Sequence, residues 1–149
     1  MWRQFESRIK HDLLATGHVV THIPSALIKT KGGTHRQKTD CDFSAAWRGE
    51  AIYFDAKACG EATFNLESLV FRESKVHQFN FLIDACNKNC KAGYLIWMYD
   101  KGLILWADVH VIATLRLNGV KSLDENTFLI NSMKDDKPIN LGDLLWGVR

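Results

Sequence analysis

Apolar residues recur along the chain with two different spacings, which divide it into predicted helices and strands. Residues 3–16 and 74–89 repeat apolar positions at helical spacing, so each segment predicts an amphipathic helix. Asp108 can cap a further helix that ends near Leu117, and residues 141–146 predict a short helix. Short segments rich in β-branched or aromatic residues predict five strands: 18–23, 41–47, 51–57, 92–99 and 103–107.

The order of these elements indicates the fold class. A helix is followed by three strands, a helix, two strands and a helix, which is typical of an α/β protein with a mixed sheet flanked by helices. A chain of 149 residues is long enough for one domain with a real core and short for two. We therefore expect a single domain over residues 1–149.

Composition excludes several classes of protein. The apolar fraction of 46% and the charged fraction of 24% are ordinary for a globular domain, and a net charge of +2 does not by itself indicate nucleic-acid binding. No apolar run approaches the ~20 residues that span a membrane, and the N-terminus lacks an apolar signal core, so a cytoplasmic protein without membrane contact is expected. Four cysteines do not indicate a disulfide framework. They are expected to be ordinary thiols; a metal site that joins Cys86 and Cys90 to Cys41 and Cys59 is the alternative.

Positive charge is concentrated in residues 29–39, which contain two glycines and no acid. This composition predicts a flexible basic loop. It directly precedes an acidic cluster, so its cations are candidates for neutralising DNA phosphates: Lys29, Lys31, Arg36 and Lys38. The glycines do not form a GxxxxGK[ST] motif, so no nucleotide cofactor is expected.

Two carboxylates and a lysine come together at the predicted hairpin that turns at residues 48–50. Because strand side chains alternate, Asp55 and Lys57 project from the same face of the second strand. Asp42 begins the first strand, where hairpin pairing would hold it near Asp55. An exposed ion pair on an edge strand is the alternative for Asp55 and Lys57 taken alone.

These residue types suit hydrolysis of a phosphodiester bond. Such hydrolysis needs a divalent cation held by oxygen ligands with open positions, and a positive group that offsets negative charge in the transition state. Asp42, Asp55 and the carbonyl of Ala56 are candidate ligands for Mg²⁺. Lys57 is the candidate for positioning the attacking water and offsetting charge.

The ordered set of Asp42 and, thirteen positions later, Asp55-x-Lys57 resembles the PD-(D/E)xK nuclease superfamily. The whole stretch DFSAAWRGEAIYFDAK is similar to the matching segment of RecU-type Holliday-junction resolvases. There an aspartate, an aromatic-Arg-Gly turn and a terminal acid-Ala-Lys occur in the same order.

Three further segments carry the same resemblance. The sequence ATFNL at residues 62–66 and the His77-Gln78 pair resemble the segments that follow the site in RecU-type resolvases. Glu6, followed by residues 17–20, resembles the N-terminal acid of this family and of archaeal resolvases. The resemblance covers about residues 3–112, which we take as the core, with residues 113–149 as a C-terminal extension of open role.

The sequence departs from the family at three points. Cys41 stands where the superfamily name expects proline, and Asp55 replaces the glutamate usual in the resolvases. The segment between residue 66 and Gln78 is longer than in the relatives. These departures bear on the substrate more than on the chemistry.

The resemblance implies a restriction-endonuclease-like core and a metal-dependent endonuclease that cuts paired strands of four-way DNA junctions, leaving 5′-phosphate and 3′-hydroxyl ends. Asp42 and Asp55 would bind Mg²⁺ or Mn²⁺, and Lys57 would act on the nucleophilic water. Glu6 would bind metal through water or hold a second ion at the edge of the site. Gln78 would orient a phosphate or the lysine.

Symmetry of the substrate adds an expectation about assembly. A four-way junction has near two-fold symmetry and must be cut on two strands, so a homodimer is expected, in a setting of phage or bacterial recombination and repair. Apolar residues after the hairpin are candidates for its interface: Phe64, Leu69, Val70 and Phe71. The alternatives are a repair or restriction-like nuclease on duplex or flap DNA, and a non-catalytic DNA-binding module of the same fold.

Overall fold

A computed structural model describes residues 1–23, 27–30, 33–36 and 41–147 of the chain. The helices in these residues are α1 (Trp2–Ala15), α2 (Leu66–Leu69), α3 (Val76–Asn87), α4 (Val109–Leu117) and α5 (Leu141–Trp146). The strands are β1 (Val19–His22), β2 (Leu27–Thr30), β3 (Gly33–Arg36), β4 (Phe43–Trp47), β5 (Glu50–Cys59), β6 (Phe64–Asn65), β7 (Lys91–Met98), β8 (Leu103–Asp108), β9 (Ser122–Leu123) and β10 (Asn131–Lys134).

The central sheet has six strands in the order β1-β4-β5-β7-β8-β10. Strands β5 and β7 pair in parallel, while the other neighbours pair antiparallel. Helices α1 and α5 pack on one face through an apolar cluster that includes Phe5 and Leu141. Helices α3 and α4 pack on the other face with Leu82 and Ile112. The predicted α/β fold with a mixed sheet flanked by helices is confirmed.

The β4–β5 hairpin has the predicted turn and alternation. Trp47 pairs with Glu50, and the two residues between them, Arg48 and Gly49, have φ angles of 48° and 82°. Positive φ at both central residues matches the twist of the flanking strands and closes a tight hairpin. Along β5, Phe54 and its alternating neighbours enter the core under α1, so Asp55 and Lys57 are left to the α3 side of the sheet.

Residues beyond 113 complete the edge of the sheet and one of its cores. Strand β10 pairs with β8, and Ile139 and Leu141 are fully buried against the α1 side. Gly142 lets α5 approach closely, because an added Cβ would clash with the Trp47 ring. This segment, whose role the sequence left open, therefore contributes packing to the same sheet.

Two predictions, one about the basic loop and one about a dimer interface, are wrong. Part of the predicted basic loop forms the antiparallel pair β2–β3. Hydrogen bonds between the two backbones can hold such a pair without any apolar alternation in the sequence, so the pattern gave no sign of it. The proposed interface residues pack in the core instead: Phe64 and Val70 are fully buried, Phe71 is nearly so, and Leu69 is half-buried against the same cluster. They pack in the cluster under α3 and α4 together with β6, α2 and β9, elements that the sequence pattern did not predict.

A membrane-spanning segment was not found in the described residues, since none of their helices is both long and apolar enough.

Candidate active site

The two predicted aspartates meet where β4 begins beside β5. The carbonyl of Asp42 accepts a hydrogen bond from the Ile23 amide at 2.7 Å, which holds its backbone to the end of β1. Its Oδ2 accepts a hydrogen bond from the Ala56 amide at 3.0 Å, across to β5. Asp55, one residue earlier on β5, is fully buried. The hairpin thus carries both carboxylates into one partly desolvated place.

Burial and like charge act together on Asp42. Burial raises the pKa of Asp42 to about 8, and the charge of Asp55 and a proton shared with it contribute to this rise in pKa. The hydrogen bond from the Ala56 amide and the charge of Lys57 oppose the rise. Without a cation, the pair therefore holds a proton at neutral pH, as two carboxylates in contact commonly do.

Lys57 is held between an acid and an amide. Its Nζ lies 2.6 Å from Oδ2 of Asp55 and donates a hydrogen bond to Oε1 of Gln78 at 3.1 Å. Gln78 is in the first turn of α3 and is only 8% exposed. Of the two roles expected for Gln78, the contact in this structure is the one with the lysine. A lysine with two fixed partners has few other rotamers, so its ammonium has a defined position.

The residues present fit a divalent cation. With Asp42 ionised, neither oxygen of Asp55 receives a well-oriented hydrogen bond from the described residues, although Lys57 is close. Ala56 lies past the last β4–β5 pair, and its amide points to Asp42. Because the N–H and C=O of one strand residue face the same neighbour, its carbonyl faces that side too. One buried carboxylate, one half-buried carboxylate and a carbonyl are oxygen ligands of the kind that Mg²⁺ and Mn²⁺ bind.

Glu6 is placed differently. On α1, its Oε1 lies 2.8 Å from Nε2 of His22 on β1, and the His22 ring lies 5.0 Å from that of Phe43, the residue after Asp42. Among the described residues, no three His, Cys, Asp or Glu side chains gather around one position, so Glu6 does not join the two aspartates. Its role at the edge of the site stays a prediction. The contact with His22 was not foreseen.

The predicted DNA-binding residues are described only in part. The backbones of Lys29 and Arg36 belong to β2 and β3, which form a separate two-stranded arm that lies between β1 and β4 in the sequence. Lys31 and Lys38 lie outside the described residues.

One residue of the site escaped sequence reasoning. Tyr94 on β7 is the register partner of Asp55 and is fully buried. In the sequence it belongs to an apolar run, and nothing local distinguishes it from a core residue. Only the parallel pairing of β5 with β7 brings it beside the acid.

The family model for Recombination protein U (RecU) matches residues 16–138, most of the chain. The chain belongs to the RecU family. This is a family of Holliday-junction resolvases, so the chain is a nuclease that acts on branched DNA. The match includes Asp42, Asp55, Lys57 and Gln78 and excludes Glu6.

Among solved structures, the chain is similar to Hjc, a Holliday junction resolvase from the archaeal hyperthermophile Archaeoglobus fulgidus. The TM-score is 0.52 at 12% sequence identity, and the alignment covers 90% of this chain and 88% of that one. At this identity the likeness shows the fold, and it confirms the restriction-endonuclease-like architecture. No curated protein sequence matches the chain.

Replacing Asp42 with asparagine tests the electrostatics of this RecU-family site. Folding raises the pKa of Asp42, so the native state holds the proton between about pH 4 and pH 8 while the unfolded chain has lost it. Metal-free wild type should therefore lose stability relative to Asp42→Asn as pH rises through that window. We expect a gap near zero at pH 4 that grows in favour of Asp42→Asn to several kcal/mol at pH 8, because each pH unit in this window is worth up to about 1.4 kcal/mol.

Urea unfolding of both proteins, with chelator, measures this gap. The quantity to follow is the difference between the unfolding free energies of the two proteins. Burial lowers the pKa of His18, so the stability of both proteins also rises with pH below the usual pKa of histidine. Parallel pH profiles for the two proteins would contradict the shared-proton description of the pair.

Proposed function

We propose that this resolvase cuts paired strands of a four-way DNA junction by Mg²⁺-dependent hydrolysis, with Mn²⁺ able to substitute, and leaves 5′-phosphate and 3′-hydroxyl ends. The observation that carries the proposal is the coupled pair of half-buried Asp42 and buried Asp55 with the ammonium of Lys57 beside it. Asp42, Asp55 and the Ala56 carbonyl would hold the cation. When bound, such a cation polarises a phosphate oxygen and makes water a better nucleophile.

Lys57 supplies the positive charge that comes from the protein itself. Its position between Asp55 and Gln78 keeps the ammonium aimed at one place, where it orients the attacking water and offsets the charge that develops on the phosphate. Its side chain is 13% exposed, so water screens this charge less than it screens a surface lysine. Gln78 acts by positioning the lysine. Glu6, held by His22, would contribute from the edge of the site through water.

Loss of either charged group should slow cleavage strongly while leaving the fold in place. Asp55→Asn and Lys57→Ala should each lower the single-turnover rate on a four-way junction by about 10²–10³-fold, because each removes a charge that acts on the transition state. Wild type should cut the junction only with Mg²⁺ or Mn²⁺ present, and should leave a linear duplex of the same sequence essentially uncut.

The chain offers a matched control. Asp84 and Lys88 form an exposed ion pair of 2.9 Å on α3, so Asp84→Asn and Lys88→Ala change the same groups away from the site. Both controls should cut at the wild-type rate. Equal rates for Asp55→Asn and wild type would refute the catalytic assignment, and junction binding without cleavage by every protein would favour a non-catalytic module. Efficient cutting of the duplex would favour a restriction-like nuclease.

The basic arm β2–β3 is proposed as the element that binds the DNA backbone. In the sequence it lies between β1 and β4, and the end of β1 pairs with the start of β4 next to Asp42, so the arm connects to the sheet at the end where the site lies. Lysine and arginine bind phosphates by releasing condensed counterions, which makes affinity depend on salt.

Removing charge from this arm should weaken binding in a salt-dependent way. The double variant Lys29→Ala/Arg36→Ala should lower junction affinity and reduce the slope of log K against log [salt] by about 1–2, one for each phosphate that the variant no longer neutralises. Adding Lys31→Ala and Lys38→Ala should reduce the slope further. Fluorescence anisotropy in Ca²⁺, at several salt concentrations, gives both quantities.

Lys134→Ala is the control, because this exposed lysine lies on β10 at the opposite edge of the sheet. Its salt slope should equal that of wild type. An unchanged slope for the arm variants would exclude β2–β3 from the DNA-binding surface.

A homodimer is proposed for the active form, because one protomer has a single two-aspartate site among its described residues and a junction needs two symmetric cuts. Sedimentation equilibrium with an Asp55→Asn variant should give two 17.0 kDa chains per junction. One chain per junction at saturation would refute this assembly.

A further inference from the structure

Two neighbouring side chains on the α3 side of the sheet carry buried polar atoms that hydrogen bonds within the described residues leave unsatisfied. The Tyr94 hydroxyl has no hydrogen-bond partner there. With Asp42 ionised, neither carboxylate oxygen of Asp55 receives a hydrogen bond, although Lys57 forms an ion pair with Oδ2. The parallel register pairs Asp55 with Tyr94 directly, and both residues are fully buried, so the hydroxyl and the carboxylate are enclosed in the same part of the interior.

Core packing alone does not explain the tyrosine. Its ring lies in the apolar cluster that includes Ile96 and Leu82, where phenylalanine would fill nearly the same space. A hydroxyl buried without a partner costs stability, and buried polar groups are nearly always satisfied by protein or by ordered water. The hydroxyl therefore calls for a partner that the described protein atoms do not supply.

The charge around the hydroxyl indicates its role. Burial raises the pKa of Tyr94, and the negative charges of Asp55 and Asp42 raise it further. Both effects favour the protonated phenol, so the hydroxyl is a neutral donor on the strand position next to Asp55. A buried water needs two or more polar partners, and Tyr94 and Asp55 provide them.

Resting on the metal-dependent function proposed above, we propose that Tyr94 is a positioning residue of the two-aspartate site. Its hydroxyl donates through a buried water to the Asp55 carboxylate, and this contact keeps that carboxylate oriented for a divalent cation. Lys57 forms an ion pair with Oδ2 of Asp55. Tyr94 is neutral, so it can orient the same carboxylate without competing with the metal ion for its negative charge. Groups that hold a metal-binding side chain in this way commonly contribute an order of magnitude to metal affinity.

Tyr94→Phe removes only the hydroxyl. Calorimetric titration of the metal-free full chain with Mn²⁺ should show a dissociation constant about tenfold higher for the variant than for wild type. Thermal unfolding without metal should show equal or slightly lower stability of the variant, because its water-mediated hydrogen bond to Asp55 is lost. A tyrosine that only filled space, with its hydroxyl unsatisfied, would leave the Mn²⁺ dissociation constant unchanged and make the variant more stable than wild type.

Tyr99→Phe is the matched control, since Tyr99 follows the same strand and packs on Trp97 away from the two aspartates. It should bind Mn²⁺ as wild type does. If wild type binds Mn²⁺ and Tyr94→Phe binds it equally well, this inference is overturned while the proposed function stands. If wild type itself shows no Mn²⁺ binding, the proposed function fails and this inference fails with it.

A crystal structure of wild type with Mn²⁺ provides a second measurement that does not depend on the variant's folding. It should show the Tyr94 hydroxyl hydrogen-bonded to a water that also contacts Asp55. A hydroxyl more than about 3.5 Å from any water or carboxylate oxygen would also overturn the inference.

Discussion

The repulsion between two carboxylates held in a partly desolvated place is the constraint on which the rest of the site depends. Asp42 and Asp55 raise each other's free energy when both are ionised, and burial adds to that cost. The fold opposes it with one hydrogen bond to a backbone amide and one largely buried lysine. A divalent cation would neutralise the same repulsion, so the features that destabilise the metal-free protein are those that would favour metal binding.

The scaffold around this pair is built to resist relaxation. The β4–β5 hairpin fixes the separation of the two backbones, and the hydrogen bond from Ile23 ties Asp42 to β1. Helix α3 brings Gln78 over Lys57, so the lysine cannot swing away to solvent without losing its acceptor. Functional groups held on paired strands keep their positions better than groups on loops. The two carboxylates can therefore stay close together despite their repulsion, without local rearrangement of the backbone.

The likeness to archaeal Hjc at 12% identity shows how little of the sequence this architecture requires. Layers and strand order depend on apolar alternation, which many residue combinations satisfy. Function depends on a few side chains at one place, so the fold alone does not support a functional conclusion. That conclusion rests on the match to the RecU family and on the contacts among Asp42, Asp55 and Lys57.

The sequence by itself determined everything that depends on local spacing. Strand alternation placed Asp55 and Lys57 on one face, the turn at Arg48 and Gly49 brought Asp42 back beside them, and helical spacing predicted α1 and α3. Those features repeat within a few residues, so a single segment contains enough information to predict them.

Only the tertiary structure decided which distant residues meet. The parallel pairing of β5 with β7 placed Tyr94 beside Asp55, and the packing of α1 on β1 placed Glu6 in contact with His22. Burial of Phe64 and Val70, which the sequence assigned to an exposed interface, likewise depends on helices far along the chain. An apolar side chain has the same local pattern whether it covers a core or a partner, because the free energy of burial depends on what finally packs against it.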